Sequence, residues 1–106
     1  MTREIDIQNS IRLALNDIAV VFRGNVGKVR MADGRYFDTG LPKGFSDLFG
    51  FRKLDGRIFF LEVKNEKGRL REEQKHFLET MKNYGAIVGV ARSPEQAIEI
   101  VNNGGA

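Results

Sequence analysis

Glu62 and Lys64 close the run Ile58-Phe59-Phe60-Leu61-Glu62-Val63-Lys64, which is otherwise apolar and strongly β-prone. A strand that carries charge at one end needs a reason for it. Strand side chains alternate, so Phe59, Leu61 and Val63 share one face and Ile58, Phe60, Glu62 and Lys64 the other. Glu62 and Lys64 therefore project side by side at the strand's end. A further acid, Asp47, interrupts Phe45-Ser46-Asp47-Leu48-Phe49-Gly50-Phe51, a second β-prone segment. The connection Lys53-Leu54-Asp55-Gly56-Arg57 is short enough for a hairpin, and that pairing puts Asp47 beside Glu62.

Two carboxylates brought together are candidate ion ligands, and composition narrows the ion. The chain has no Cys and a single histidine, His76, which excludes disulfides, thiolate sites and a histidine-rich zinc centre. Oxygen ligands remain, and with them a hard ion such as Mg²⁺ or Mn²⁺. The net charge of +3 permits a nucleic-acid partner without requiring one. Distribution says more: Arg23, Lys28, Arg30 and Arg35 crowd one region and Lys64, Lys67, Arg69, Arg71 and Lys75 another, both next to the acid-bearing segments. Alone, such clusters read as solvated surface; around candidate ion ligands they suit phosphate.

The elements that must position these groups follow from periodicity. Residues 4 to 18 read as a helix, with Ile7, Ile11, Ala14, Leu15 and Ile18 in a stripe that Glu4 and Gln8 continue. Glu4 serves either an ion site or the positive end of its helix. Residues 19 to 23 make a strand, and Lys28 to Met31 a further strand or irregular edge. Arg23 and Asn25 suit phosphodiester contact or turn chemistry. The polar, Gly-rich segment 32 to 43 reads as a mobile loop. Asp47 lies within a strand from Gly44 to Phe51, where a charge can also guard a sheet edge.

Residues 71 to 84 read as a second helix, with Leu70, Phe77, Leu78, Met81 and Tyr84 on or near its buried stripe and Gly85 as the stop. Gln74 falls on that stripe and needs a partner, whereas His76 falls off it. Arg71 stands where a capping Ser or Thr would precede Gln74. Residues 86 to 90 are a buried-strand candidate, and Ser93-Pro94-Glu95-Gln96 starts a last helix with a cap, a first-turn proline and a capping box. The Asn-Asn-Gly-Gly-Ala tail is expected to fray. At 106 residues the expectation is one domain, 1–106, in the α/β class with the order α-β-β-β-α-β-α: a small mixed sheet flanked by helices. No apolar run approaches the ~20 residues of a membrane span, and the N-terminus lacks a signal-peptide layout, so the expected compartment is cytoplasmic.

Asp47 followed by Glu62-Val63-Lys64 resembles the Asp…Glu-x-Lys core of the PD-(D/E)xK nuclease superfamily. Around it, Phe22-Arg23-Gly24-Asn25-Val26-Gly27, Gly40-Leu41-Pro42-Lys43-Gly44-Phe45-Ser46-Asp47 and Gly68-Arg69-Leu70-Arg71-Glu72-Glu73-Gln74 look like blocks of the VRR-NUC family, the virus-type replication-repair nucleases. Ser46 departs from the proline that most relatives carry before the aspartate. The resemblance implies a restriction-endonuclease-like core and a Mg²⁺- or Mn²⁺-dependent endodeoxyribonuclease. It implies Asp47 and Glu62 as metal ligands with the Val63 carbonyl, Glu4 completing the site directly or through water, Lys64 orienting or helping to deprotonate water, and Gln74 near that lysine. Arg23, Asn25, Lys28, Arg30, Lys67 and Arg69 are the candidate DNA contacts. No base-reading element is identifiable, so the expected activity is structure-selective, resembling a Holliday junction resolvase that works as a homodimer in a bacterial or phage-infected cell. Flap or nicked-duplex cutting, and a non-catalytic nucleic-acid-binding module on the same fold, are the alternatives.

Overall fold

The computed structural model describes residues 2–104. Helix α1 (Glu4–Leu15) leads into β1 (Ala19–Arg23), followed by β2 (Lys28–Arg30) and β3 (Tyr36–Asp38). Then come β4 (Leu48–Arg52), β5 (Ile58–Val63), α2 (Glu72–Asn83), β6 (Ile87–Ala91) and α3 (Pro94–Asn102). The main sheet has the order β1-β4-β5-β6. β4 pairs antiparallel with both β1 and β5, while β6 lies parallel to β5. A parallel neighbour cannot be reached by a tight turn, which is why α2 intervenes between β5 and β6. No helix among the described residues is long and apolar enough to cross a membrane.

β5 is the strand around which both layers pack. One set of its alternating side chains, Phe59, Leu61 and Val63, joins Ile7, Ile11 and Leu15 of α1 and Ala97 and Val101 of α3. The other set meets α2, where Phe60 packs on Phe77 and Leu78, with Ala86 just ahead of β6 and Phe45 and Phe49 alongside. Phe45 makes ring contacts with Phe49, Phe60 and Phe77, at centroid distances of 4.8–5.8 Å. With both faces covered, every β5 residue from Phe59 to Val63 is buried, including Glu62.

The expected order holds for the main sheet, and the structure adds two strands to that order, β2 where a strand or irregular edge is expected and β3 where none is. The segment read as a loop contains β3, which pairs with β2 in a separate two-stranded ribbon. Three residues per strand with turns between them give too short a pattern to show period two. α1 stops at Leu15, three residues before the expected end, because Asn16 and Asp17 form the turn that sends Ala19 back along the sheet. Asp47 lies one residue ahead of β4, in a bend. α3 starts as expected: Ser93 Oγ accepts from the Gln96 N–H, although Gln96 Oε1 reaches the Arg92 N–H in place of the cap's own. α3 runs through Asn102, and the last two residues of the tail lie outside the described residues.

Candidate functional site

The β4–β5 register fixes the relation between the two acids. Leu48 faces Leu61, so the next position outward sets Asp47 against Glu62. Asp47 Oδ2 accepts a hydrogen bond from the Val63 N–H at 2.9 Å, taking the place of a ladder carbonyl. Glu62 is 1% exposed. Its Oε1 accepts from Gln74 Nε2 at 3.0 Å, while its buried Oε2 meets no N–H or O–H donor and can bond to Asp47 only through its own proton. Burial pushes the Glu62 carboxyl up to about 9, and hydrogen bonding and repulsion from Asp47 push the same way. The nearby charges of Lys64 and Arg71 oppose this shift.

Several residues hold this pair in place. Gln74 works at both ends of its amide: Oε1 accepts from the Arg71 N–H at 2.9 Å, capping α2, and Nε2 holds Glu62. This is the second half of a capping box on a helix whose first half Arg71 cannot supply. Ser46 is fully buried, and its Oγ donates to the Leu48 carbonyl at 2.9 Å across the Asp47 bend. The Gly24 N–H donates to the Asp47 carbonyl at 2.8 Å. A Cβ on Gly24 would collide with the Ser46 carbonyl, so this approach requires glycine.

Glu4 reaches the same end of the sheet from the opposite layer. Its Oε2 accepts from the Asn65 N–H at 3.4 Å, beside the Lys64 stem and Gly68. Glu4, Asp47 and Glu62 do not form one cluster: among the described residues no group of three or more His, Cys, Asp or Glu side chains is placed to hold a metal. Arg92, which sequence reasoning did not single out, ties the loop after β5 by donating to the carbonyls of Asn65 at 2.5 Å and Gly68 at 2.8 Å. Its only sequence signal is an arginine next to a helix cap, and arginine there is ordinary.

The donor set fits a hard cation. Two facing carboxylates, one with a buried oxygen that no neighbouring group donates to, are what an oxygen-seeking ion satisfies, and no thiolate or nearby imidazole competes. A pair of carboxylates leaves most of an octahedral shell to backbone, water and substrate oxygens, as Mg²⁺ prefers. The candidate DNA contacts Arg23, Asn25, Lys28, Arg30, Lys67 and Arg69 are all exposed. Arg23 ends β1 opposite Leu48, and Asn25 follows the Gly24 contact with Asp47. Lys28 and Arg30 stand on β2, and Lys67 and Arg69 on the loop between Lys64 and α2. His76 is exposed on α2 and away from the pair's contacts.

A solved structure described as a VRR_NUC domain is similar over 96% of this chain and 97% of its own, with a TM-score of 0.67 and 23% sequence identity. That likeness establishes the fold. Among curated proteins, none matches the chain. The VRR-NUC domain model matches residues 27–95, which include Asp47, Glu62, Lys64 and Gln74. The chain belongs to the VRR-NUC domain family, a family of nucleases.

Proposed function

We propose that residues 1–106 act as one nuclease domain that hydrolyses phosphodiester bonds in branched DNA, using Mg²⁺ or Mn²⁺, with four-way junctions as the preferred substrate. The observation that carries this reading is the buried Glu62 oxygen that faces Asp47 and meets no N–H or O–H donor. Asp47 and Glu62 would hold the ion together with the Val63 carbonyl, and Glu4 would reach it through water. When bound, the ion supplies charge stabilisation at the phosphoryl group and a water of lowered pKa. Gln74 keeps the Glu62 carboxylate aimed at the pair. Lys64, two residues along the same face, donates from its ammonium to the attacking water and orients it. Arg23, Asn25, Lys67 and Arg69 flank this centre, where they would bind phosphates on either side of the cut.

Cutting two opposed strands at a junction needs two such centres, so the working unit is a homodimer of isologous symmetry. Its compartment is the cytoplasm of a bacterial or phage-infected cell. The test is incubation with a labelled immobile four-way junction, a 5′ flap, a nicked duplex and an intact duplex, in Mg²⁺, Mn²⁺ or EDTA, beside Lys64→Ala. The expected result is symmetric junction cleavage that needs both metal and Lys64. Preferential flap or nick cutting would replace the substrate, and tight binding with no cleavage in either metal would leave only a binding module.

A further inference from the structure

The β2–β3 ribbon springs from the rim of the acid pair. The chain leaves β1 at Gly24, which is bonded to Asp47, and returns through Phe45 and Ser46 to Asp47 itself. The two stems stay together above that root, with the Thr39 N–H donating to the Gly27 carbonyl at 3.0 Å. The tip is equally well tied: Met31 N–H donates to Arg35 O at 2.7 Å, Gly34 turns at φ +89°, and Asp33 accepts from both the backbone and Nε of Arg35. The ribbon is thus preformed. Extended from Gly24 to Met31 it reaches roughly 20 Å from the acids.

Its side chains are those of a surface waiting for a polyanion. The register pairs Lys28 with Asp38 and Arg30 with Tyr36, so Lys28, Arg30 and Tyr36 share one face. Asp38 turns back to accept from the Gly40 N–H, and Asp33 is occupied by Arg35. Among the described residues neither Lys28 nor Arg30 is in an ion pair. Tyr36 is 64% exposed. A two-stranded ribbon fits the roughly 12 Å width of a B-DNA major groove.

We propose that this ribbon lies in the major groove of a duplex arm next to the bond that is cut, with Lys28 and Arg30 on the phosphate walls, so that the enzyme measures double-stranded DNA beside its site. The proposal rests on the nuclease reading for the identity of the polyanion. Its test is metal-free binding, in EDTA, of a fluorescent 20-base-pair duplex and of one of its single strands, followed by anisotropy across a salt series. The proteins are wild type, Lys28→Ala/Arg30→Ala, and a variant in which residues 28–38 are replaced by two glycines, which the adjacent stems allow.

We expect both variants to bind duplex at least tenfold more weakly, the double variant with a salt slope shallower by about 1.8, and both to bind the single strand within twofold of wild type. Unchanged duplex affinity and slope, or equal losses on duplex and single strand, would overturn the proposal. Wild-type cleavage in Mg²⁺ with unaltered binding by the variants rejects the ribbon and keeps the nuclease. Ribbon-dependent duplex binding without cleavage in either metal does the reverse. A wild type that binds neither DNA rejects the ribbon, and the nuclease reading is then decided by junction cleavage in metal alone.

Discussion

Replacing Glu62 by Gln should stabilise the metal-free protein while abolishing metal-dependent cleavage. Glu62 has a folded pKa of about 9 against an ordinary 4.5, set mainly by burial. Between those two values the folded chain holds a proton that the unfolded chain releases, so stability falls as pH rises through that window and is unaffected below it. At pH 7 the full linkage amounts to about 3 kcal/mol, and solvent around the half-buried Asp47 screens this to about 2 kcal/mol. Glutamine reproduces the protonated acid, since its Oε1 can accept from Gln74 and its amide can donate toward Asp47. The Glu62→Gln variant should therefore melt roughly 10 °C higher than wild type at pH 7 in EDTA. The advantage should shrink toward zero near pH 4.5, and Mg²⁺ should raise the wild-type melting temperature but not the variant's. Thermal and urea melts at pH 5, 6, 7 and 8, with EDTA or Mg²⁺, read all of this. A variant no more stable than wild type at pH 8, or a gap that does not grow with pH, would refute the reasoning.

Two further substitutions separate support of the site from support of the fold. Gln74→Ala removes the α2 cap and the Glu62 partner together, and urea melts should show a loss of about 1–2 kcal/mol, with kcat falling by more than that destabilisation alone explains. Gly68→Ala places a Cβ 2.7 Å from Glu4 Oε2, the far end of a flexible side chain, and 3.1 and 3.2 Å from Lys64 Cδ and Cβ. Stability should stay within about 0.5 kcal/mol of wild type while cleavage drops as Lys64 is displaced, which paired melts and single-turnover rates would detect.

The sequence carried the elements wherever the hydrophobic period ran long enough. β1, β5, α2 and α3 could be read from alternation, stripes and the Ser93-Pro94 cap, and the pairing of Asp47 with Glu62 followed from a short connection between two β-prone runs. Gln74 stood out because a polar residue on an apolar stripe must find a partner. It proved to have two, and which two depended on how α2 packs on β5. The ribbon was hidden because its strands are short and exposed on every described side chain, so burial imposed no pattern on them.

What the sequence alone determined is thus the set of groups and the local period that aims them: two carboxylates and an ammonium at strand ends, with oxygen as the only ligand chemistry on offer. Only the tertiary structure decided which groups meet. It put Glu4 on the loop at Asn65, not within a three-acid cluster, because α1 packs on the face of β5 opposite Glu62. It also left one Glu62 oxygen buried with no group donating to it, because the strand carrying it is covered on both faces. Distance between segments far apart in the chain, and the solvent each group loses, are products of packing, and no local pattern encodes them.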